Sequence, residues 1–253
     1  MKKLYIAFMF FFLLCFSSCV DIEERYDFKA DGACNVVYGF DMGKAVSVLM
    51  NLMTDSVKET PQFSLVKDTT LNFFNAVPDS IANKMNAEEI KMAQGSDLAV
   101  KMDLKNNIMK VSIKHEAKSA ADLQYYLEHL NNISMNSQLG TVTQNKQVKG
   151  FDAQPLINGQ SYYNYEITPH KFYRIIDKDK FNIFLKKVGA KFAMAKAMLI
   201  DMPYKVVLNF AKPVKKINNP KAIVSADRHR VTLITSMDEV IKNPTLMNLK
   251  IDF

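Results

Sequence analysis

IEERYDFKADGACNVVYGFD, residues Ile22–Asp41, reads as two strands and the turn between them. Ile22, Tyr26 and Phe28 share one parity, and Cys34, Val36, Tyr38 and Phe40 share it too. Successive strand side chains point to opposite faces. Both sets therefore line one face only if paired residue numbers sum to an even value. Pairing Lys29 with Ala33 satisfies this and leaves Ala30-Asp31-Gly32 as the loop. A three-residue hairpin loop wants a left-handed residue at its third position, and Gly32 supplies it at little cost. Cys34 then faces the core opposite Phe28, as a small buried hydrophobe rather than a reactive thiol.

Toward the C-terminus the same logic places further elements. Asp41 can cap a helix in which Ala45, Val48, Leu49 and Leu52 recur at helical spacing. Residues 54–81 read as irregular, with Pro61 and Pro78 as breakers, and a second helix is expected near Ser80–Gln94, stopped by Gly95. Leu98–Leu104 and Met109–Ile113 alternate around Asn106-Asn107, a two-residue turn of residues that tolerate positive φ. Ser119 and Asp122 resemble a capping box for a helix carrying Leu123, Tyr126, Leu127 and Leu130. Residues 134–160 are polar and irregular. Tyr162–Ile167 and Lys171–Ile176 read as strands around Thr168-Pro169. The strongest helix is Asp177–Ile200, with Phe181, Phe184, Leu185, Val188, Phe192, Ala195 and Leu199 on its apolar face. Strands follow at Tyr204–Phe210, Ile223–Val224 and Arg230–Thr235. A short capped helix starts at Ser236, and alternating Met247, Leu249, Ile251 and Phe253 close the sequence. Hairpins and helices in separate blocks predict an α+β fold: antiparallel hairpins forming a sheet, with helices mainly on one face.

Before Ile22 the chain carries an address. Lys2 and Lys3 precede 13 unbroken apolar residues, Leu4–Phe16, then Ser17, Ser18 and Cys19. The run fits a signal peptide and is short of the roughly 20 residues of a spanning helix. Small residues before Cys19 resemble a bacterial lipobox, with Phe16 where Leu is usual. Cys15 follows bulky Leu14 and fits less well. The expected organisation is a lipoprotein signal peptide at 1–18, a lipidated Cys19 with a short tether to residue 22, and one α+β domain over 23–253. A sub-boundary within 134–160 stays open. Ordinary secretion with Cys19 as a free thiol is the competing reading.

The order of these pieces resembles a group of Bacteroidota cell-envelope lipoproteins of unknown function. The residues that carry the likeness are Glu23-Glu24, Asp31-Gly32, Phe40-Asp41-Met42, KMAQGSD at Lys91–Asp97, GQSYYNYEI at Gly159–Ile167, Asn209-Phe210, Ser225-Ala226-Asp227 and Val231-Thr232-Leu233. Where members often show Gly-Ser-Gly, this chain has Gly32-Ala33-Cys34. The resemblance implies a lipid anchor in the outer membrane, surface-exposed or periplasm-facing, and carries no catalytic residues. Asp21, Glu23 and Glu24 would fit a surface-export signal of that phylum, or be a charged first strand. Asp55-Ser56-Val57, Asp68-Thr69-Thr70 and Asp79-Ser80-Ile81 resemble its O-glycosylation signal, which makes Ser56, Thr69 and Ser80 candidate sites. Turn and cap chemistry accounts for the same pairs.

No motif in the sequence specifies a reaction. His115, His129, His170 and His229 are scattered, and there is no Gly-rich phosphate loop and no G-x-S-x-G turn. The reading is a non-enzyme with no cofactor and no metal site. Charge is the informative feature. The chain is +7 overall, yet residues 170–230 alone hold 15 Lys/Arg against 4 Asp/Glu. Lys186, Lys187, Lys191, Lys212, Lys215, Lys216, Lys221, Arg228 and Arg230 are therefore candidates for an anionic partner: an envelope protein, a polysaccharide or an anionic lipid surface. Two solvated faces would give the same count. Nucleic acid is not expected, because lysine dominates where arginine forks would suit phosphate and bases. The alternative function is a carrier or sensor of an apolar ligand, with Phe184, Phe192 and Met198 lining a cavity.

Overall fold

A computed structural model describes residues 20–64, 66–77, 79–130, 162–197 and 202–253. Residues 1–18, Cys19, the whole 134–160 segment and Met198 lie outside the described residues, as do the side chains of Ser80, Lys191 and Phe192.

The opening hairpin is β1 (Asp21–Phe28) and β2 (Cys34–Asp41), paired Phe28 to Cys34 as the parity rule requires. Lys29 and Ala33 close the loop at 2.8 Å, and Gly32 sits at φ +88°, where a side chain would be strained. Cys34 is fully buried, and burial pushes its thiol well above the usual range.

Next come helices α1 (Gly43–Leu52) and α2 (Asp55–Lys58), then strand β3 (Val66–Asn72). The short turns α3 (Phe73–Ala76) and α4 (Asp79–Ala82) lead to helix α5 (Ala87–Gln94). Residues 54–81 contain an edge strand, and the single helix expected from Ser80 is two, because the Asn86–Glu89 capping box starts α5 afresh. Hairpin β4 (Ser96–Asp103) and β5 (Ile108–Ala117) has a four-residue loop rather than a two-residue turn. Asn107 adopts φ 55° in it. Gly43 is needed at the start of α1, since a Cβ there would lie 2.5 Å from the Asn107 carbonyl oxygen.

Helix α6 (Ala120–His129) is capped by Ser119, which accepts from the Asp122 N–H, and buries Leu123, Tyr126 and Leu127. Then follow β6 (Tyr163–Thr168), β7 (Lys171–Ile176), helix α7 (Lys178–Ala197), β8 (Pro203–Phe210), β9 (Lys216–Ile217), β10 (Ile223–Val224) and β11 (Arg230–Ser236). Helix α8 (Met237–Lys242) and β12 (Leu249–Asp252) end the order.

The strands make two sheets: β10-β11-β8-β1-β2-β5-β4-β3 and β6-β7-β12-β9. The fold is α+β, as the sequence predicts, with one parallel pair, β1 with β8, inside an otherwise antiparallel arrangement. The inner face of the large sheet reads Leu233–Val206–Glu24–Tyr38–Ile113–Leu98–Leu71 across seven strands in register. The small sheet covers this row over β1 and β8, where Phe172 packs against Tyr26 and Phe28 at 5.2 and 5.7 Å. Helix α6 covers it over β5, where Tyr126 stacks on His115 at 3.8 Å. One cluster of buried residues runs through both sheets.

Candidate functional site

Three places on the molecule hold chemistry. The first is at the centre of the core. Glu24 and Arg174 are each fully buried and pair at 2.5 Å. Tyr26 donates to the same carboxylate oxygen at 2.9 Å, and Tyr204 donates to the other. Burial first, and the Glu24 charge second, push both phenols well up, so they stay protonated and donate. The guanidinium lies 4.6 Å from the Tyr163 ring centroid, and Nε donates to the Met247 carbonyl at 3.4 Å. This network joins β1 to β7 and β8 and is closed to solvent, so it holds the sheets together rather than meeting a substrate. Sequence reading grouped Glu24 with Asp21 and Glu23, as an export signal or a charged first strand. Its parity, shared with Ile22 and Tyr26, was the signal that it faces inward.

The second place is a serine–histidine pair. Ser96 donates its hydroxyl proton to the Met92 carbonyl at 2.7 Å, so His115 Nδ1 must be the donor in their 2.8 Å contact. A nucleophilic serine needs the reverse, with its proton directed at an imidazole acceptor. Burial lowers the His115 pKa to about 4. An open cleft of ≈590 Å³ lies beside the pair, where Lys91, Lys114 and Lys118 are balanced by Asp27, Asp97, Glu116 and Asp122. It carries no net field of one sign. Among the described residues, no three His, Cys, Asp or Glu side chains converge as metal ligands.

The third place is the outer face of the small sheet. Phe172, Arg174 and Ile176 of β7 point inward, so Lys171 and Tyr173 point outward. On β12, Leu249 and Ile251 are buried, and Lys250 and Asp252 alternate with them. Register sets Lys250 beside Tyr173, and Asp252 between Lys171 and Lys216. The Lys171 and Lys250 ammoniums stand 5.4 and 5.8 Å from the Tyr173 ring centroid. Tyr173 donates to Asp252 at 2.8 Å, a bond that raises its pKa and keeps its proton in place. Lys171 reaches Glu166 at 3.4 Å. Arg228, at φ 60°, clamps the adjoining loop by donating to the backbone oxygens of Val214 and Lys215 at 2.6 and 3.1 Å. The result is a half-exposed aromatic ring among lysines, suited to multi-point contact with phosphate, sulfate or carboxylate groups.

The nine cationic candidates divide across the structure. Lys216 is on this face. Lys215, which donates to the Phe253 backbone oxygen at 3.3 Å, adjoins it, and Lys212 is exposed three residues earlier in the chain. Arg228 supports the face from the backbone side. Lys221 pairs with Glu239 at 2.7 Å, and Arg230 donates to Asn209 on the large sheet. Lys186 and Lys187 are exposed on α7, which starts beyond the Ile176 end of β7. Lys216 lies opposite Asp252, at the Lys171 end. Phe184 is buried against the Tyr162 ring at 5.0 Å. Among the glycosylation candidates, Ser56 is exposed, and Thr69 is half-buried opposite Val100 on the inner side of β3. Lys171, Tyr173 and Lys250 were missed. The alternation in KFYRII and LKID was the signal that they share one outward face.

Comparison with models of known families, with curated proteins and with solved structures finds no match. The functional reading therefore rests on the chain's own chemistry.

Proposed function

We propose that the chain is a lipid-anchored, non-enzymatic binding protein of the bacterial cell envelope. It is held to the outer membrane through Cys19 and meets an acidic partner with the lysine face around Tyr173. The observation that carries this is the placing of the Lys171 and Lys250 ammoniums beside the half-exposed Tyr173 ring, with Lys216 across from Asp252 and Lys215 next to it. The face sits at the Phe28 end of the molecule, and Cys19 precedes the Asp21 end. β1 separates the two by about 23–26 Å at roughly 3.3 Å per residue. A face at that distance stands clear of the anchoring leaflet, which favours an acidic polysaccharide or protein over that membrane's own headgroups.

The test is binding to an immobilised acidic polysaccharide, with heparin as the probe. Lys171→Gln, Lys216→Gln and Lys250→Gln together should lower the salt needed for elution, since contacts of this kind are screened by salt. Lys186→Gln with Lys187→Gln should leave elution unchanged. Unchanged elution of the triple variant, or loss confined to the α7 variant, would remove the site from this face.

A further inference from the structure

The stripe expected to bury α1 stays in part exposed: Ala45 and Val48 are half-buried, and Leu49 and Leu52 face solvent. Of its ten residues only Val46 is buried. Ala45, Val48, Leu49 and Leu52 fall on one arc of the helix, and none of them joins the core cluster. Leu49 is 44% and Leu52 72% exposed, and nearby Val57 and Val66 are 40% and 66% exposed. These are four of the seven large hydrophobics most exposed among the described residues.

Their position is specific. Asp41, two residues before α1, is the register partner of Asp21, the first residue of β1. Lys44 lies 3.9 Å from Asp21, Gly43 is pressed against the Asn107 loop, and Val66 is opposite Asp103 at the same end of the sheet. The segment 43–66 is thus tied at both ends to the pole where β1 begins. Cys19 is two residues before Asp21, a reach of about 7 Å at most. A lipid on Cys19 brings this pole to the membrane surface and leaves no room for it to stand off. Segment 43–66 carries Lys44 and Lys58 against Asp55 and Glu59, with no excess of positive charge, so the pole offers apolar surface rather than a field for anionic headgroups.

We propose that α1 and α2 form a second membrane contact, in which Leu49 and Leu52 enter the headgroup–acyl boundary of the leaflet that holds the Cys19 lipid. This rests on the anchoring of Cys19 proposed above. A short amphipathic helix beside a lipid anchor fixes the orientation of the domain, so that the lysine face is held outward rather than tumbling on its tether.

The experiment uses the full chain, expressed with its leader, purified in detergent and reconstituted into phosphatidylcholine vesicles. An environment-sensitive fluorophore is placed at Leu52→Cys or, at the opposite pole, at Lys212→Cys. Both positions are exposed, and Cys34 is too buried to take label. Doxyl-labelled phosphatidylcholine should quench the Leu52 probe several-fold more than the Lys212 probe, with a blue-shifted emission that high salt does not reverse. Equal quenching at the two positions, in protein whose intact mass shows acyl chains, overturns the second contact and leaves the anchor standing. Leu52 emission that shifts only as the protein dimerises assigns the stripe to a second copy and also overturns it. An intact mass that keeps residues 1–18 without acyl chains overturns the anchor, and this contact with it.

Discussion

At the residue scale, Glu24 and Arg174 show where charge and parity give conflicting readings. Glu24 lies in an acidic run that looks solvent-facing, yet its strand position is inward, and the partner that makes this tolerable is 150 positions away. No local pattern announces such a pair. Arg174→Met should cost about 3–5 kcal/mol in urea unfolding, because it strands a buried carboxylate. Adding Glu24→Gln should restore part of that loss, since it removes the stranded charge while the amide oxygen still accepts from one of the two tyrosines and the NH2 group meets the hydroxyl oxygen of the other. No restoration would mean that the loss came from the packing of the guanidinium rather than from its charge. His115 gives a second readout. Its pKa is held down to about 4 by burial, with Lys91 acting in the same direction and Asp122 and Glu116 opposing. An unfolded histidine titrates near 6.5, so as pH falls below that value the unfolded chain takes the proton first. The contribution is fully present above about pH 7, is lost between 6.5 and 4, and levels off below. The full drop is on the order of 3 kcal/mol. His115→Gln should flatten the urea midpoint against pH across this window, and an unaltered slope would show that other groups set it.

At the element scale, what was legible in the sequence followed from whether an element's apolar residues meet the core. The opening hairpin, α6, β6, β7, β8 and α8 each bury one face, so their periodicity, caps and turn residues agree. β3 is an edge strand with Lys67, Asp68, Thr69 and Thr70 in its middle. It lacks the apolar alternation that marks a strand, and charged edges of this kind discourage pairing with other chains. α1 is the reverse case: its stripe is legible as helix, but a stripe cannot say which surface it will meet. The parallel pairing of β1 with β8 has no local signal, because the connection is long and passes through the second sheet. The candidate site was half legible for the same reason. Lys215 and Lys216 stood out as charge, whereas Lys171, Tyr173 and Lys250 become neighbours only when β12 pairs with β7.

At the scale of the whole molecule, the question is whether the two sheets unfold together. Phe172 of the small sheet meets Tyr26 and Phe28, and Phe28 also stacks on Phe210 at 5.0 Å and meets the tilted Phe253 ring at 5.3 Å. With the Glu24–Arg174 pair beside them, these rings make the sheets one packed unit, and deleting one should be felt in both. Phe172→Ala should cost about 3–5 kcal/mol, as large-to-small changes at fully buried aromatics do. Native-state hydrogen exchange can locate the loss. If the sheets unfold as one, amides of the β4–β5 ladder, which Phe172 does not touch, should lose as much protection as those of the β6–β7 ladder. Loss confined to β6, β7, β12 and β9 would divide the chain into two cooperative units. An orientation set by α1 at one pole would then no longer be transmitted rigidly to the lysine face at the other.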